Sequence, residues 1–309
     1  SMLSNADDEV VPSPDPRYLN RLLAGIVDAA TNAWQMAQPA EVGCAVADAS
    51  GIGTNRHDPS GPRMPETPVL AARSLEAGAL IGVLWICAMH PTVLHEDSTL
   101  ISGDFPAAGR RGLQALLAND SLVCLHHMGA AGNQSPRHVV RENSFAEAKR
   151  LGEILASALF RAIAEIRFDR HWQLHVESDS VDLPGRKLPL PAEADAMVQK
   201  QQQRLVSLRQ EGAARADVRT AECDLFGASE TKTLAVAAAS GQLDDVIKQC
   251  LPAEVQLISV NDWHFVGWPG EVFVEYAIEL RREFPTAFPV TLANGDLQGY
   301  LVTEEAVRG

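Results

Sequence analysis

Residues 122–137 read LVCLHHMGAAGNQSPR: an apolar run, then small residues, a Gly-Asn pair and a serine beside a proline. The run LVCLHHM predicts a buried strand. Gly132-Asn133 predicts a tight turn, because both residues tolerate backbone conformations that most side chains avoid. Ser135 therefore sits in a glycine turn at the end of a strand, with Arg137 two positions on. Exposed functional groups carried on a rigid scaffold have this placement.

Working outward from this stretch, ALIGVLWICAMH (79–90) predicts a second buried strand, ending on His90. Between the two, Asp104-Phe-Pro opens a helix through RRGLQALLAN. After the quoted turn, FAEAKRLGEILASALFRAIAEI (145–166) is a strongly amphipathic helix. Strand–helix–strand–helix order predicts an α/β fold with mixed, partly parallel sheets flanked by helices.

Toward the N-terminus, VVPSPDPRYLN (10–20) reads as an extended, proline-punctuated lead-in, and Asp15-Pro16 as an N-cap followed by proline at the first helical position. The helix that follows carries Leu19, Leu22, Leu23, Ile26, Ala30 and Trp34 on one apolar face. EVGCAVADA (41–49) predicts a strand, and residues 50–68, rich in Gly and Pro, a long loop.

Toward the C-terminus, HWQLHVES and RKLPLP within 171–191 alternate like exposed strands, and 193–213 is a polar helix. A further helix is expected near 227–239. EVQLISV (254–260) predicts a strand, WPGE a turn, VFVEYAIELRREF a helix and AFPVTLA a last strand. No internal repeat is visible, and residues 1–309 read as a single domain.

The charge of −14, from 26 basic and 40 acidic residues, argues against nucleic acid or an anionic membrane surface as the main partner. The longest apolar run, ALIGVLWICAM, is too short to span a bilayer, so no transmembrane segment is expected. The opening SMLSNADDEV is polar and acidic and does not read as a signal peptide. Cys44, Cys87, Cys124, Cys223 and Cys250 are odd in number and include no CxxC. They predict free thiols rather than a disulfide framework or a Cys-rich zinc site.

Several residues have the chemistry of a site. His90 lies just past a strand end, where α/β proteins meet their ligands, although a rim histidine would look the same. Glu271, in the Pro-Gly turn of WPGE, is equally a first-turn carboxylate favoured by a helix dipole. Glu275, Glu279 and Arg282 read as a solvated charge stripe. Tyr300 follows a glycine-rich turn in ANGDLQGYL, and Asn55-Arg56 in the long loop could clamp a carbonyl or carboxylate. His126 and His127 point to opposite faces of their strand.

Taken in order, NRHDP (55–59), CAMHPTVL (87–94), LISGDFPAAGRR (100–111), HMGAAGNQSPR (127–137), VGWPGEVFVEYAIELR (266–281) and LANGDLQGYLVTEEA (292–306) resemble the neutral/alkaline, non-lysosomal ceramidases and their shorter bacterial relatives. The resemblance runs from about residue 16 to the end and is weakest between 168 and 220. It implies a zinc-dependent amidase that cleaves the amide of a small-molecule or lipid N-acyl substrate. By motif, His90, Glu271 and Tyr300 match zinc ligands, the last as a phenolate. Ser135 matches an essential serine, acting either as nucleophile or as a polar partner beside a metal-bound water. Asn55 and Arg56 match a substrate-binding Asn-Arg pair.

Two features depart from the family. Its His-x-His motif, which carries a further zinc ligand, should precede the first helix, yet there is no histidine before His57. A further active-site tyrosine is expected beyond the point where this chain stops. We therefore expect the body of a catalytic domain, either cut at both ends or from a natural relative that has lost them, and without a C-terminal immunoglobulin-like domain. Zinc suits the chemistry, since it activates water at neutral pH and polarises a carbonyl, and ligands from separate strand ends suit a catalytic site. Two other readings stand beside this one: a metal-free serine hydrolase pairing Ser135 with His126 or His138, and a non-catalytic relative that binds a ligand without zinc.

Overall fold

A computed structural model of the chain describes residues 15–95, 98–295, 297 and 299–308. The lead-in expected over 10–14 lies outside the described residues, as do Asp296 and Gln298 of the turn before Tyr300.

In chain order the elements begin with α1 (Pro16–Gln35), β1 (Ala40–Asp48), β2 (Thr54–Asn55), β3 (Glu66–Ser74), β4 (Leu80–Cys87), α2 (Asp104–Leu116), β5 (Val123–Met128), β6 (Gln134–Ser135) and α3 (Phe145–Ala164). There follow β7 (Leu174–Val181), α4 (Pro191–Gln210), α5 (Arg215–Ala239), α6 (Gln242–Cys250), β8 (Ala253–Val260), β9 (Trp263–Trp268), β10 (Glu271–Val272), α7 (Val274–Glu283), β11 (Ala287–Thr291), β12 (Tyr300–Leu301) and α8 (Glu304–Arg308). The expectation of a mixed, partly parallel α/β fold holds.

One four-stranded sheet has the order β1-β3-β4-β5, with only the β4–β5 pair parallel. The second has the order β11-β9-β8-β7, with only β9–β11 parallel. Helices α2 and α3 pack on each other, and α3 covers β1 and β3. The core between them is Val69, Val83, Trp85, Phe105, Leu113, Leu151, Leu155 and Leu159, all essentially inaccessible to water. Burying an aliphatic or aromatic side chain of this kind contributes roughly 1.5–3 kcal/mol.

The capping residues follow the local sequence. Asp15 accepts a hydrogen bond from the Arg17 amide at 2.9 Å, with Pro16 next to it, and Ser144 accepts from the Glu147 amide at 3.2 Å to start α3. In β5, Cys124, His126 and Met128 point inward while Val123, Leu125 and His127 are exposed, so the two histidines do lie on opposite faces.

Four expectations are corrected. The loop expected over 50–68 closes earlier than its Gly-Pro content suggests, because ETPVLAARS forms β3, paired on both sides. RKLPLP does not continue as a strand; its prolines remove ladder donors. The helix expected near 227 begins at Arg215 as α5, its polar first half held by ion pairs to α4: Arg204–Asp224 at 2.6 Å and Arg209–Glu222 at 2.8 Å. Finally, α1 is helical as expected, yet its apolar face is exposed, with Leu23 at 60% and Trp34 at 84%.

All five cysteines are free. Burial pushes the Cys44 and Cys87 thiols up to about 12, so both are inert. No helix among the described residues is long and apolar enough to cross a membrane.

Candidate active site

Two very short strand pairs assemble the site. In the antiparallel pair β2–β6, Thr54 faces Ser135 and Asn55 faces Gln134. In the parallel pair β10–β12, Glu271 faces Tyr300 directly. The first pair brings the Arg56 loop to the glycine turn; the second joins two residues 29 apart in sequence.

His90 leaves the end of β4 and is fixed at both ring nitrogens. Nδ1 lies 3.0 Å from the Gln134 carbonyl oxygen, and Nε2 lies 2.7 Å from Glu271 Oε1. The His90 amide also donates to the Gln134 carbonyl, at 3.3 Å. Nδ1 is placed to give its proton to the carbonyl, so Nε2 bonds Glu271 Oε1 only if it carries a second proton; in the neutral ring the two atoms face each other as acceptors. Such a pair needs a proton or a metal cation between them.

Tyr300 completes the cluster. Its ring meets His90 edge-on, with centroids 6.2 Å apart, and it stands opposite Glu271 in the β10–β12 pair. The Arg56 guanidinium lies 4.8 Å from the centre of the same ring, and its Nε is buried with no hydrogen-bond partner among the described residues. Burial alone would push the Glu271 carboxyl up. The hydrogen bond and charge of His90, with Arg56 and Tyr300 behind them, outweigh this and hold it below the usual carboxylate range. Burial pushes the Tyr300 phenol up, Arg56 opposes this, and Glu271 adds to it.

Ser135 is buried, and its Oγ accepts from the Arg137 amide at 3.2 Å. It lines one cleft with Arg56, His90 and Tyr300. No hydrogen bond joins it to a histidine among the described residues: His138 Nε2 lies 3.2 Å from the Arg56 carbonyl, and His126 packs against Trp85. Asn55 points elsewhere. Its Oδ1 accepts from the His57 and Asp58 amides, and its Nδ2 donates to the Pro62 carbonyl, so it shapes the loop that presents Arg56.

The residues that hold this arrangement were not apparent from sequence. Asn133 Oδ1 accepts from the Val274 amide at 2.9 Å, and its Nδ2 donates to Glu275 Oε2 at 2.8 Å. The Arg56 amide in turn donates to the Asn133 carbonyl at 2.8 Å. Glu275 therefore takes part in this bracing, and only Glu279 and Arg282 behave as the exposed stripe expected of them. Glu271 lies in β10, one element before the helix start at which it was expected. Asp104 is buried and accepts from the Val93 and Leu94 amides at 3.0 and 2.9 Å, pinning the segment after His90 to α2. The only sequence signal for these roles was polarity beside Gly and Pro.

Among the described residues no cluster of three His, Cys, Asp or Glu side chains could hold a metal. His90 and Glu271 form a pair, and the third donor beside them is the Tyr300 phenol. One imidazole with its distal N–H held by a carbonyl, one ionised carboxylate and one phenol are a donor set that zinc accepts.

The same architecture occurs in solved structures. A crystal structure of neutral ceramidase from Pseudomonas aeruginosa superposes with a TM-score of 0.61 at 17% identity, covering 93% of this chain and 50% of that one. The chain has a neutral-ceramidase fold. A structure described as ceramidase complexed with C2 also gives a TM-score of 0.61, at 15% identity, covering 92% of this chain and 51% of the other. The chain thus spans about half the length of the ceramidase structures it matches. No family model and no curated protein matches its sequence.

Proposed function

We propose that this chain carries the site of a ceramidase-like, zinc-dependent hydrolase that cleaves the amide bond of an N-acyl substrate. The carrying observation is the close approach of His90 Nε2 and Glu271 Oε1, 2.7 Å apart, with Tyr300 opposite Glu271. His90, Glu271 and Tyr300 would hold the metal. When bound, zinc supplies Lewis acidity, making water a nucleophile at neutral pH and polarising a carbonyl.

The chain's own residues supply the remaining functions. Gln134 fixes the His90 tautomer so that Nε2 faces the site. Arg56, which lines the cleft beside His90 and Tyr300, is placed to donate to a substrate oxygen and to offset negative charge that develops there. Ser135 already accepts a hydrogen bond from Arg137, which leaves its O–H to be donated to the carbonyl being attacked. A metal-free nucleophilic serine draws no support from this geometry, since neither His126 nor His138 is hydrogen-bonded to Ser135 to take its proton.

The test is elemental analysis of the purified chain alongside His90→Ala and Glu271→Ala, followed by turnover of an N-acylsphingosine and of simpler N-acyl amides. One zinc per chain, lost in both variants, and zinc-dependent amide cleavage are expected. A chain that takes up no zinc from excess metal would leave the ligand-binding, non-catalytic reading in its place.

A further inference from the structure

Strands β7 and β8 pair antiparallel up to Val181 and Ala253, a hairpin that a loop of about 2–5 residues could close. Residues 182–252 stand in that place. They begin with a stretch that has no helix or strand and carries Pro184-Gly185, and then form α4, α5 and α6.

These helices have a packing of their own. Ala194 and Leu205 of α4 and Ala221, Ala228 and Ala235 of α5 are buried. Arg204–Asp224, Arg209–Glu222 and Lys232–Asp195 tie the two helices together. Among the described residues, neither hydrophobic core of the protein includes a residue of α4, α5 or α6. Yet α5 forms a wall of the cleft, where Ala216, Arg219 and Cys223 meet His90, Ser135 and Tyr300. A wall that takes no share in the core opens at lower free energy than the core itself.

Arg137 joins this wall to the serine. Its Nη1 donates to Thr220 Oγ1 at 3.1 Å and its Nη2 to Cys223 Sγ at 3.0 Å. The Thr220 hydroxyl gives its own proton to the Ala216 carbonyl at 2.8 Å, so it presents a lone pair to Arg137. The Arg137 amide donates to Ser135 Oγ at 3.2 Å, and Nη1 also reaches the Arg56 carbonyl at 3.5 Å. Between Ser135 and Arg137 stands Pro136, first residue of the short turn Pro136–His138, which leaves the link little slack. A shift of α5 therefore moves the guanidinium and, through one turn, the serine hydroxyl.

We propose that α4–α6 are a movable wall of the cleft and that Arg137 is a positioning residue, coupling the closure of that wall to the placement of Ser135 and Arg56. The catalytic use of those two residues rests on the hydrolase reading above; the coupling does not. Its acceptors suit a reversible contact, since hydrogen bonds to a hydroxyl, a thiol and a carbonyl exchange for water at small net cost. Closing elements of this kind exclude water and complete a site once a substrate is bound.

The test is amide hydrogen exchange on the full chain. In the parent, α4–α6 should exchange faster than α3, the mark of a wall that opens while the core stays closed. Thr220→Val combined with Cys223→Ala removes both side-chain acceptors on α5 and leaves Arg137 and Ser135 in place. Exchange should then rise about tenfold in 215–225 and in 129–140 together, the margin of about one net hydrogen bond, with α3 unchanged. Thr220→Ser combined with Cys223→Ser keeps an acceptor at each position and should exchange like the parent. Arg137→Met, which keeps the stem and the amide that bonds Ser135, should reproduce the first variant.

Exchange in α4–α6 as slow as in α3, a rise confined to 215–225, no rise in either segment, or an equal rise in the conservative variant would overturn the proposal. Turnover of N-acyl amides is followed separately. Coupled exchange without cleavage removes the hydrolase reading and keeps the coupling; cleavage with uncoupled segments does the reverse.

Discussion

The Gly132 amide donates to the Val272 carbonyl oxygen at 2.8 Å, and this contact docks β10 against the glycine turn so that Glu271 meets His90. A Cβ on Gly132 would lie 2.8 Å from that oxygen and 2.9 Å from Phe273 Cδ1. Backbone cannot move aside as a flexible side chain can. Gly132→Ala should therefore cost roughly 1–3 kcal/mol and, by shifting Glu271, weaken zinc binding. Urea denaturation and zinc titration check both effects; a variant with parental values in each would show that the close approach is not needed.

Tyr300→Phe keeps the ring that lies under Arg56 and removes only the hydroxyl proposed as a zinc ligand. Stability should change by less than about 1 kcal/mol, while zinc affinity falls about tenfold or more. Competition with a chromogenic chelator measures the affinity. An unchanged constant would remove Tyr300 from the ligand set.

Asn133 joins the glycine turn to α7 through both ends of its amide. Asn133→Ala should lose about 1–2 kcal/mol at any pH, the cost of leaving buried groups unpaired. Asn133→Asp keeps the acceptor for Val274 but sets a second carboxylate against Glu275. Its cost should be larger at pH 7 and should shrink as the pH falls and one of the two carboxylates protonates. Chemical denaturation at pH 7 and pH 4.5 separates the two variants.

His126, facing inward beside Trp85, has its pKa lowered to about 4, by burial first and then by the charge of His127. The unfolded chain titrates near the ordinary value of about 6.5, so it binds more protons than the folded chain between those limits. The contribution is complete above about pH 6.5 and is lost as the pH falls toward 4. His126→Leu should remove roughly 2–3 kcal/mol of pH dependence in that window. Stability curves for the two proteins that fall in parallel would contradict the assignment.

The sequence alone determined the strands whose own residues state their surroundings. LIGVLWIC reads as a doubly covered strand, and FAEAKRLGEILASALFRAIA as a one-faced helix, because burial acts residue by residue at the period of the backbone. The same local signals placed His90 and Ser135 at strand ends and gave five free thiols.

The site itself needed contacts that no local pattern encodes. Strands β2, β6, β10 and β12 are two residues each, too short to show periodicity, and exist only because distant segments pair. That pairing separated Asn55, which braces a loop, from Arg56, which faces the cleft, although they are adjacent in the chain. It turned Glu275 from an apparent surface charge into a partner of Asn133.

The start of α5 was hidden for a related reason. Its polar first half is stabilised by ion pairs with α4, which no apolar spacing reports, and that half carries Arg215 and Arg219 to the cleft. Apolar burial is written locally in the chain; polar groups acquire their roles from partners that only the tertiary fold brings within hydrogen-bonding distance.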